Sequence, residues 1–243
     1  MRIAALLLCL LLQEERKSFD PAVHEATKAF SYADFLIVPV RVHLLRCSAD
    51  DALQCRMKEE DVRRVFGKVN RIWNKAGLGL DLESIVTEDA VRPEGFEESR
   101  LEDFKATRPT HGREAGMIHV FYVHRLPTNG VFMGRDAIFV KDSASLREVK
   151  GGVDEPLPRV TSHEIGHAMG LPHRQDTINL MASGTTGWSV NDAEIAVVRS
   201  WATKQDWILT PAAALDKGLH SILAALPGES PIKDKAHAAL QKK

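Results

Sequence analysis

Three histidines and a glutamate stand close together in the stretch TSHEIGHAMGLPHR, from Thr161 to Arg174. His163 and His167 are four residues apart, so in a helix both imidazoles project from one side and can bind one metal ion. Glu164 lies one residue further round, where its carboxylate can reach a water on that ion without binding the metal. Two imidazoles, a carboxylate and an open position are typical of catalytic zinc.

The third ligand must come from beyond the helix, because a continuing helix would carry it away from the metal. Gly170 tolerates the left-handed backbone that ends a helix and turns the chain back. We therefore expect His173 to complete an all-histidine site for one catalytic Zn²⁺ ion, which lowers the pKa of a bound water to about 7.

Two other interpretations stay open at this point. In a different kind of zinc enzyme the third ligand would be Glu194, which follows on a predicted helix in NDAEIAVV. In a non-catalytic binding module the zinc would serve structure only. The turn at Gly170 favours His173, and Glu164 favours an enzyme, because a structural zinc site needs no base and is usually closed by a fourth protein ligand.

The run HEIGHAMGLPH resembles, position for position, the extended zinc signature of the metzincin clan of metallopeptidases. NLMASG places a methionine, Met181, shortly after His173, and this interval is similar to that of the matrixin branch. Arg174 departs from the matrixin pattern, in which serine usually follows the third histidine.

The resemblance implies a role for each matching residue and a reaction for the whole. The zinc ligands would be His163, His167 and His173, with Glu164 as general base and acid, Gly170 as the turn and Met181 as the apolar floor under the metal. The reaction would be attack of zinc-activated water on a peptide bond of a protein or peptide substrate. Part of Gly130 to Val140 would be the edge strand that pairs with the extended substrate.

The elements that must position these residues follow from hydrophobic spacing. Between Val62 and Ala76 apolar residues recur every three or four positions, which predicts an amphipathic helix. FLIVPVRVHLL and LGLDLESIV alternate as strands, and MIHVFYVH is apolar on both faces, as in a central strand. The order predicts an α+β fold with a twisted mixed sheet, an edge substrate strand, an active-site helix and C-terminal helices.

Composition limits the other functions. The 243 residues are 44% hydrophobic and carry a formal net charge of -1, which is typical of a globular protein and argues against nucleic-acid binding. We expect a monomer with a catalytic domain over 19–209 and a helical extension over 210–243.

The N-terminus indicates export. Arg2 precedes an apolar run from Ile3 to Leu12 and charged residues follow, which predicts a signal peptide over 1–18 and a secreted or extracytoplasmic protein without membrane contact after cleavage. In an oxidising compartment Cys47 and Cys55 are expected to form a disulfide, whereas without export both would be free thiols.

Two further histidines and a tryptophan are expected to be structural. His119 and His124 lie five apart on one strand and face opposite sides, so they cannot bind one ion, and we expect hydrogen-bonded strand histidines. Trp188 is expected in the core or in the wall of the substrate pocket.

Overall fold

A computed structural model of the chain describes residues 26–134 and 137–242. The predicted signal peptide lies outside these residues. The strands are β1 (Leu36–Arg46), β2 (Leu78–Asp89), β3 (Ile118–Val123), β4 (Gly130–Phe132) and β5 (Ala137–Lys141). The α-helices are α1 (Glu59–Trp73), α2 (Leu101–Ala106), α3 (Pro156–Ala168), α4 (Asp192–Ala202), α5 (Pro211–Asp216), α6 (His220–Ala225) and α7 (Pro231–Leu240). None of the described helices is long and apolar enough to cross a bilayer.

The five strands form one mixed sheet in the order β2-β1-β3-β5-β4. β2, β1, β3 and β5 run parallel, whereas β4 is antiparallel to β5 and lies at the edge. The predicted mixed sheet is therefore confirmed. β3 lies in the centre of the sheet and is buried along its whole length, as expected for a strand that is apolar on both faces.

The predicted amphipathic helix is α1, which connects the parallel strands β1 and β2. Its buried side chains are those of the predicted stripe: Val62, Val65, Phe66, Val69, Ile72 and Trp73. They pack on one face of the sheet together with apolar residues of α3 and α4, and this is the main core. A smaller cluster around Phe121 and Phe139 covers the other face.

The C-terminal segment, in which helices were expected, forms α5, α6 and α7. Gly218, whose positive φ of 74° ends a helical turn, separates α5 from α6. These helices pack on the start of β1 in a third apolar cluster that includes Phe35, Ile37 and Leu223.

The expected disulfide is absent from the structure, in which Cys47 and Cys55 are both free thiols. Cys55 is buried in the main core, whereas the partly buried Cys47 packs against the cluster on the other face of the sheet. The two thiols therefore pack against different apolar clusters. Burial raises the pKa of the Cys55 thiol to about 12.

Candidate metal centre

Helix α3 carries the first two histidines. It begins with Pro156 in its first turn, where the missing N–H costs nothing, and it is buried over nearly its whole length. It ends after Ala168, and Gly170 adopts a φ of 93°, the left-handed conformation that the sequence predicted. The Leu171 N–H then bonds the Gly166 carbonyl at 2.9 Å, so the chain reverses and brings His173 back towards the helix.

The three predicted histidine ligands come together. One ring nitrogen from each of His163, His167 and His173 lies within 4.8 Å of the others, and no fourth histidine, cysteine or carboxylate of the described chain joins this group. The Nε2 atoms of His163 and His167 are 3.1 Å apart. Two nitrogens on one tetrahedral zinc are separated by roughly 3.3 Å, so this pair fits zinc.

Hydrogen bonds to the backbone orient both imidazoles of the helix. The Nδ1 of His163 lies 2.8 Å from the Leu180 carbonyl, and the Nδ1 of His167 lies 2.7 Å from the Leu171 carbonyl. A carbonyl only accepts, so each Nδ1 carries the proton and each Nε2 keeps its lone pair. Burial lowers the pKa of His163 to about 3 and lowers that of His167, which keeps both rings neutral. The donor set therefore fits a zinc ion.

Glu164 lies beside this set with its side chain 6% exposed. Burial raises the pKa of its carboxyl to about 8, and a hydrogen bond from the backbone N–H of Phe132 in β4 opposes the rise. A cation held by the adjacent histidines would oppose this rise and favour the ionised carboxylate.

Met181 lies directly against the ligand-bearing helix and is fully buried. A Cβ atom placed on Gly166, which stands between the two helical histidines, would be 2.6 Å from the Met181 sulfur. The Met181 N–H bonds the side-chain oxygen of Asn179 at 2.7 Å, which fixes the turn. Met181 thus packs against the helix segment that joins the two helical histidines.

Glu194 is not part of the metal group, contrary to the alternative left open above. Its carboxylate accepts from the side chain of Asn179 at 3.1 and 2.9 Å and from the Asn191 N–H at 2.9 Å, and it pairs with Arg174 at 3.2 Å. It therefore caps α4 and holds the asparagine that fixes the Met181 turn. The same ion pair gives Arg174 a structural partner.

The edge strand β4 passes over α3 beside Glu164. A Cβ on Gly130 would meet Val160 at 2.7 Å and Glu164 at 2.9 Å, so only glycine permits this approach. Asn129 and Met133 direct their backbone groups into the sheet. The Asn129 carbonyl accepts from the Lys141 N–H, and the Met133 N–H donates to the Ala137 carbonyl. By antiparallel alternation, Gly130 and Phe132 direct their backbone groups to the open edge.

Of the range Gly130 to Val140, in which a substrate strand was predicted, only β4 lies at the edge of the described sheet. Residues 137–140 belong to β5, which lies between β3 and β4 and offers no free edge. A proline in that part of β5 would disrupt the interior of the sheet.

Two pockets border Glu164. One, of about 220 Å³, is lined by Thr128, Asn129, Gly130, Leu146, Arg159, Val160, His163, Glu164, His173, Ser183 and Gly184. We call it the Arg159 pocket. The other, of about 440 Å³, is lined by Thr128, Gly130, Val131, Phe132, Glu164, His167 and His173, and we call it the Phe132 pocket. Four residues line both pockets: Thr128, Gly130, Glu164 and His173.

Arg159 is the site residue that the sequence analysis missed. It stands one helical turn before His163 and is 2% exposed. Its Nε donates to the Gly187 carbonyl at 3.0 Å and its Nη2 to the Ala182 carbonyl, so it ties the loop after Met181 to α3. A charged residue four positions before the first ligand was the available signal.

The remaining candidates are structural. His119 bonds His43 at 2.9 Å and the Glu114 carbonyl at 2.8 Å, and His124 bonds Asp142 at 2.9 Å. Trp188 packs against the main core and donates to the Gly151 carbonyl at 2.8 Å, and it lines neither of the two pockets.

Comparison with known proteins gives matches among solved structures only. No protein-family model matches the chain, and no curated protein matches its sequence. Mirolysin, a protein of Tannerella forsythia, matches in its complex with compound 9 with a TM-score of 0.48 and 11% identity, over 69% of this chain and 91% of that chain. Metalloproteinase-II from Bacteroides fragilis matches with a TM-score of 0.42 and 16% identity, over 77% and 59% of the two chains. Archaemetzincin from Methanopyrus kandleri matches with a TM-score of 0.43 and 13% identity, over 68% and 96%.

Proposed function

We propose that this protein is a zinc-dependent endopeptidase that acts outside the cytoplasm. The observation that carries the proposal is the arrangement of His163, His167 and His173, whose ring nitrogens converge without a fourth protein ligand in the described chain. A structural zinc site is normally closed by a fourth ligand, whereas a catalytic site keeps one position for water or substrate. The apolar run near the N-terminus supports export.

Zinc bound by three imidazoles supplies a Lewis acid and lowers the pKa of a coordinated water to about 7. The carbonyls of Leu180 and Leu171 hold the two helical imidazoles in the tautomer that leaves Nε2 free for the metal. Met181 supports the helix segment between these ligands from below.

Glu164 moves the proton in this proposal. Its carboxylate takes a proton from the attacking water and delivers it to the leaving amine nitrogen, since it borders both pockets and so reaches both sides of the scissile bond. Burial raises the pKa of this carboxyl, which suits a group that must accept and then release a proton near neutral pH.

β4 aligns the substrate. The Phe132 carbonyl and the Gly130 N–H lie at the open edge, where an extended peptide can add as an antiparallel strand. Backbone pairing does not depend on side chains, so the edge strand accepts many sequences and the pockets select among them.

The test is hydrolysis of a denatured protein by the zinc-loaded chain and by Glu164→Gln, with zinc content measured for both. Removing one acid–base group typically lowers the rate by about 10²–10⁴-fold, and the three zinc ligands are unchanged. We expect Glu164→Gln to bind zinc and to lose hydrolysis to that extent. Glu148→Gln, at an exposed glutamate of the neighbouring loop, is the matched control and should cleave normally. Hydrolysis by Glu164→Gln at the wild-type rate would place the base elsewhere.

A further inference from the structure

Arg159 is a buried cation that forms no ion pair with a carboxylate of the described chain. Its guanidinium is held by two neutral carbonyls, those of Gly187 and Ala182, and the carboxyl of Glu164 acts on it only from beyond ion-pair distance. Buried arginines are ordinarily paired with an anion, because taking the charge out of water is costly. The structural role of tying the loop to α3 therefore leaves the charge of Arg159 unexplained.

The hydrogen-bonding capacity of this guanidinium is also unfilled. It has five N–H groups, of which two bond the carbonyls. A third group, on Nη1, lies 3.1 Å from the Nδ1 of His163. With zinc on Nε2 that Nδ1 must carry its own proton and donate it to Leu180, and two donors cannot bond each other. At least one charged N–H beside the zinc ligands thus lacks an acceptor.

The guanidinium lines the Arg159 pocket, and no other arginine or lysine is among the described residues that line it. The other side chains at its wall are neutral apart from Glu164, which the proposed reaction already uses. Its volume of about 220 Å³ is several times the roughly 30 Å³ of one water molecule, so one side chain can enter. A carboxylate in this site would receive charge-assisted hydrogen bonds away from bulk water.

The direction of β4 assigns the pocket to one side of the scissile bond. The chain runs from Asn129, which lines only the Arg159 pocket, through Gly130, which lines both pockets, to Phe132, which lines only the other pocket. An antiparallel substrate runs the opposite way, so its N-terminal part lies by Phe132 and its C-terminal part by Gly130. The residue immediately after the scissile bond therefore places its side chain in the Arg159 pocket.

We propose that the Arg159 pocket selects an acidic side chain at the position immediately after the cleaved bond. This inference rests on the proposed function, because it needs a peptide held along β4 over a metal on the three histidines. The shared chemistry is a carboxylate, which can come from a glutamate or aspartate side chain or from the C-terminus of a short substrate. We assign the pocket to a side-chain carboxylate rather than to a C-terminus, since β4 offers pairing to a chain that continues past the site.

The test uses two peptides that differ only by glutamate or glutamine after the scissile bond, both amidated at the C-terminus and several residues longer on each side. A hydrogen bond to a charged group contributes enough to change kcat/KM by about ten-fold to a hundred-fold. We expect zinc-loaded wild-type protein to prefer glutamate by that factor. A ratio near one, or a preference for glutamine, would overturn the proposal.

Two variants and one further peptide test whether Arg159 causes the preference and which carboxylate the pocket binds. Arg159→Gln should bring the ratio close to one, whereas Arg147→Gln, at an exposed arginine of the neighbouring loop, should leave it unchanged. If Arg159→Gln does not fold by circular dichroism, the wild-type ratio decides alone. A peptide that ends with a free carboxylate at this position tests the other source, and cleavage of that peptide only would contradict a side-chain site. If the proposed function itself is wrong, neither peptide is cleaved, and this result differs from cleavage of both peptides at equal rates.

Discussion

Two glycines in helix interiors give opposite predictions for the same substitution. Gly67 in α1 is exposed, and a Cβ there would have no neighbour within 4 Å. Gly166 in α3 is buried, and a Cβ there would lie 2.6 Å from the sulfur and 3.2 Å from the terminal methyl of Met181. Glycine to alanine is therefore a pure gain of helix propensity at the first position and a collision at the second.

The size of the difference follows from two terms. Alanine is better than glycine in a helix by about 0.8–1.0 kcal/mol, and this gain applies to both positions. Overpacking of a filled core costs about 1–3 kcal/mol, and this cost applies only to Gly166→Ala, since Met181 is fully buried and has no free space to enter. The propensity term cancels in the comparison, so Gly166→Ala should be less stable than Gly67→Ala by about 1–3 kcal/mol.

The assay is urea unfolding of the metal-free proteins followed by circular dichroism. Met181→Ala removes the colliding atoms, so in that background Gly166→Ala should recover the gain that Gly67→Ala shows. A double-mutant cycle would measure this coupling directly. If Gly166→Ala stabilises the protein that retains Met181 as much as Gly67→Ala does, Met181 does not pack under the ligand helix as described.

Three more predictions concern the ligands, the base and the thiols. His173→Ala should lose most bound zinc while Glu194→Ala keeps it, by metal analysis after dialysis; the reverse pattern would favour Glu194 as the third ligand. The pKa of the Glu164 carboxyl is about 8 in the folded protein, above its ordinary value of 4.5. This carboxyl therefore stabilises the folded protein fully below pH 4.5, and the stabilisation is lost as the pH rises through 8. In EDTA, the unfolding free energy of wild type should therefore fall from pH 5 to 9 relative to Glu164→Gln, and parallel curves would contradict the burial of this carboxyl. Alkylation of the native protein should label Cys47 before Cys55, whose pKa burial raises to about 12, and a linked peptide in non-reduced digests would show that the bridge forms after all.

Local spacing predicted the ligand helix, the turn and the amphipathic helix correctly. The positions of His163 and His167, the turn at Gly170 and the stripe of α1 each depend on a few consecutive residues. Backbone geometry fixes such patterns within one or two turns, so they can be predicted without the tertiary structure.

The remaining features depend on contacts between distant segments. Arg159 becomes a pocket residue only because the loop after Met181 returns to α3, and Glu194 becomes a cap partner only through Asn179. The choice of β4 as the edge depends on the strand order, which no single strand encodes. The expected disulfide was wrong for the structure because two nearby cysteines can enter clusters on opposite faces of a sheet.

The most direct test of the proposed centre is diffraction from crystals of the zinc-loaded protein, collected on both sides of the zinc absorption edge. We expect one anomalous peak, with the Nε2 atoms of His163 and His167 and a ring nitrogen of His173 about 2.0–2.1 Å away and a fourth position without a protein ligand. A peak bound by Glu194, a fourth protein ligand, or no peak among these histidines would contradict a catalytic zinc centre.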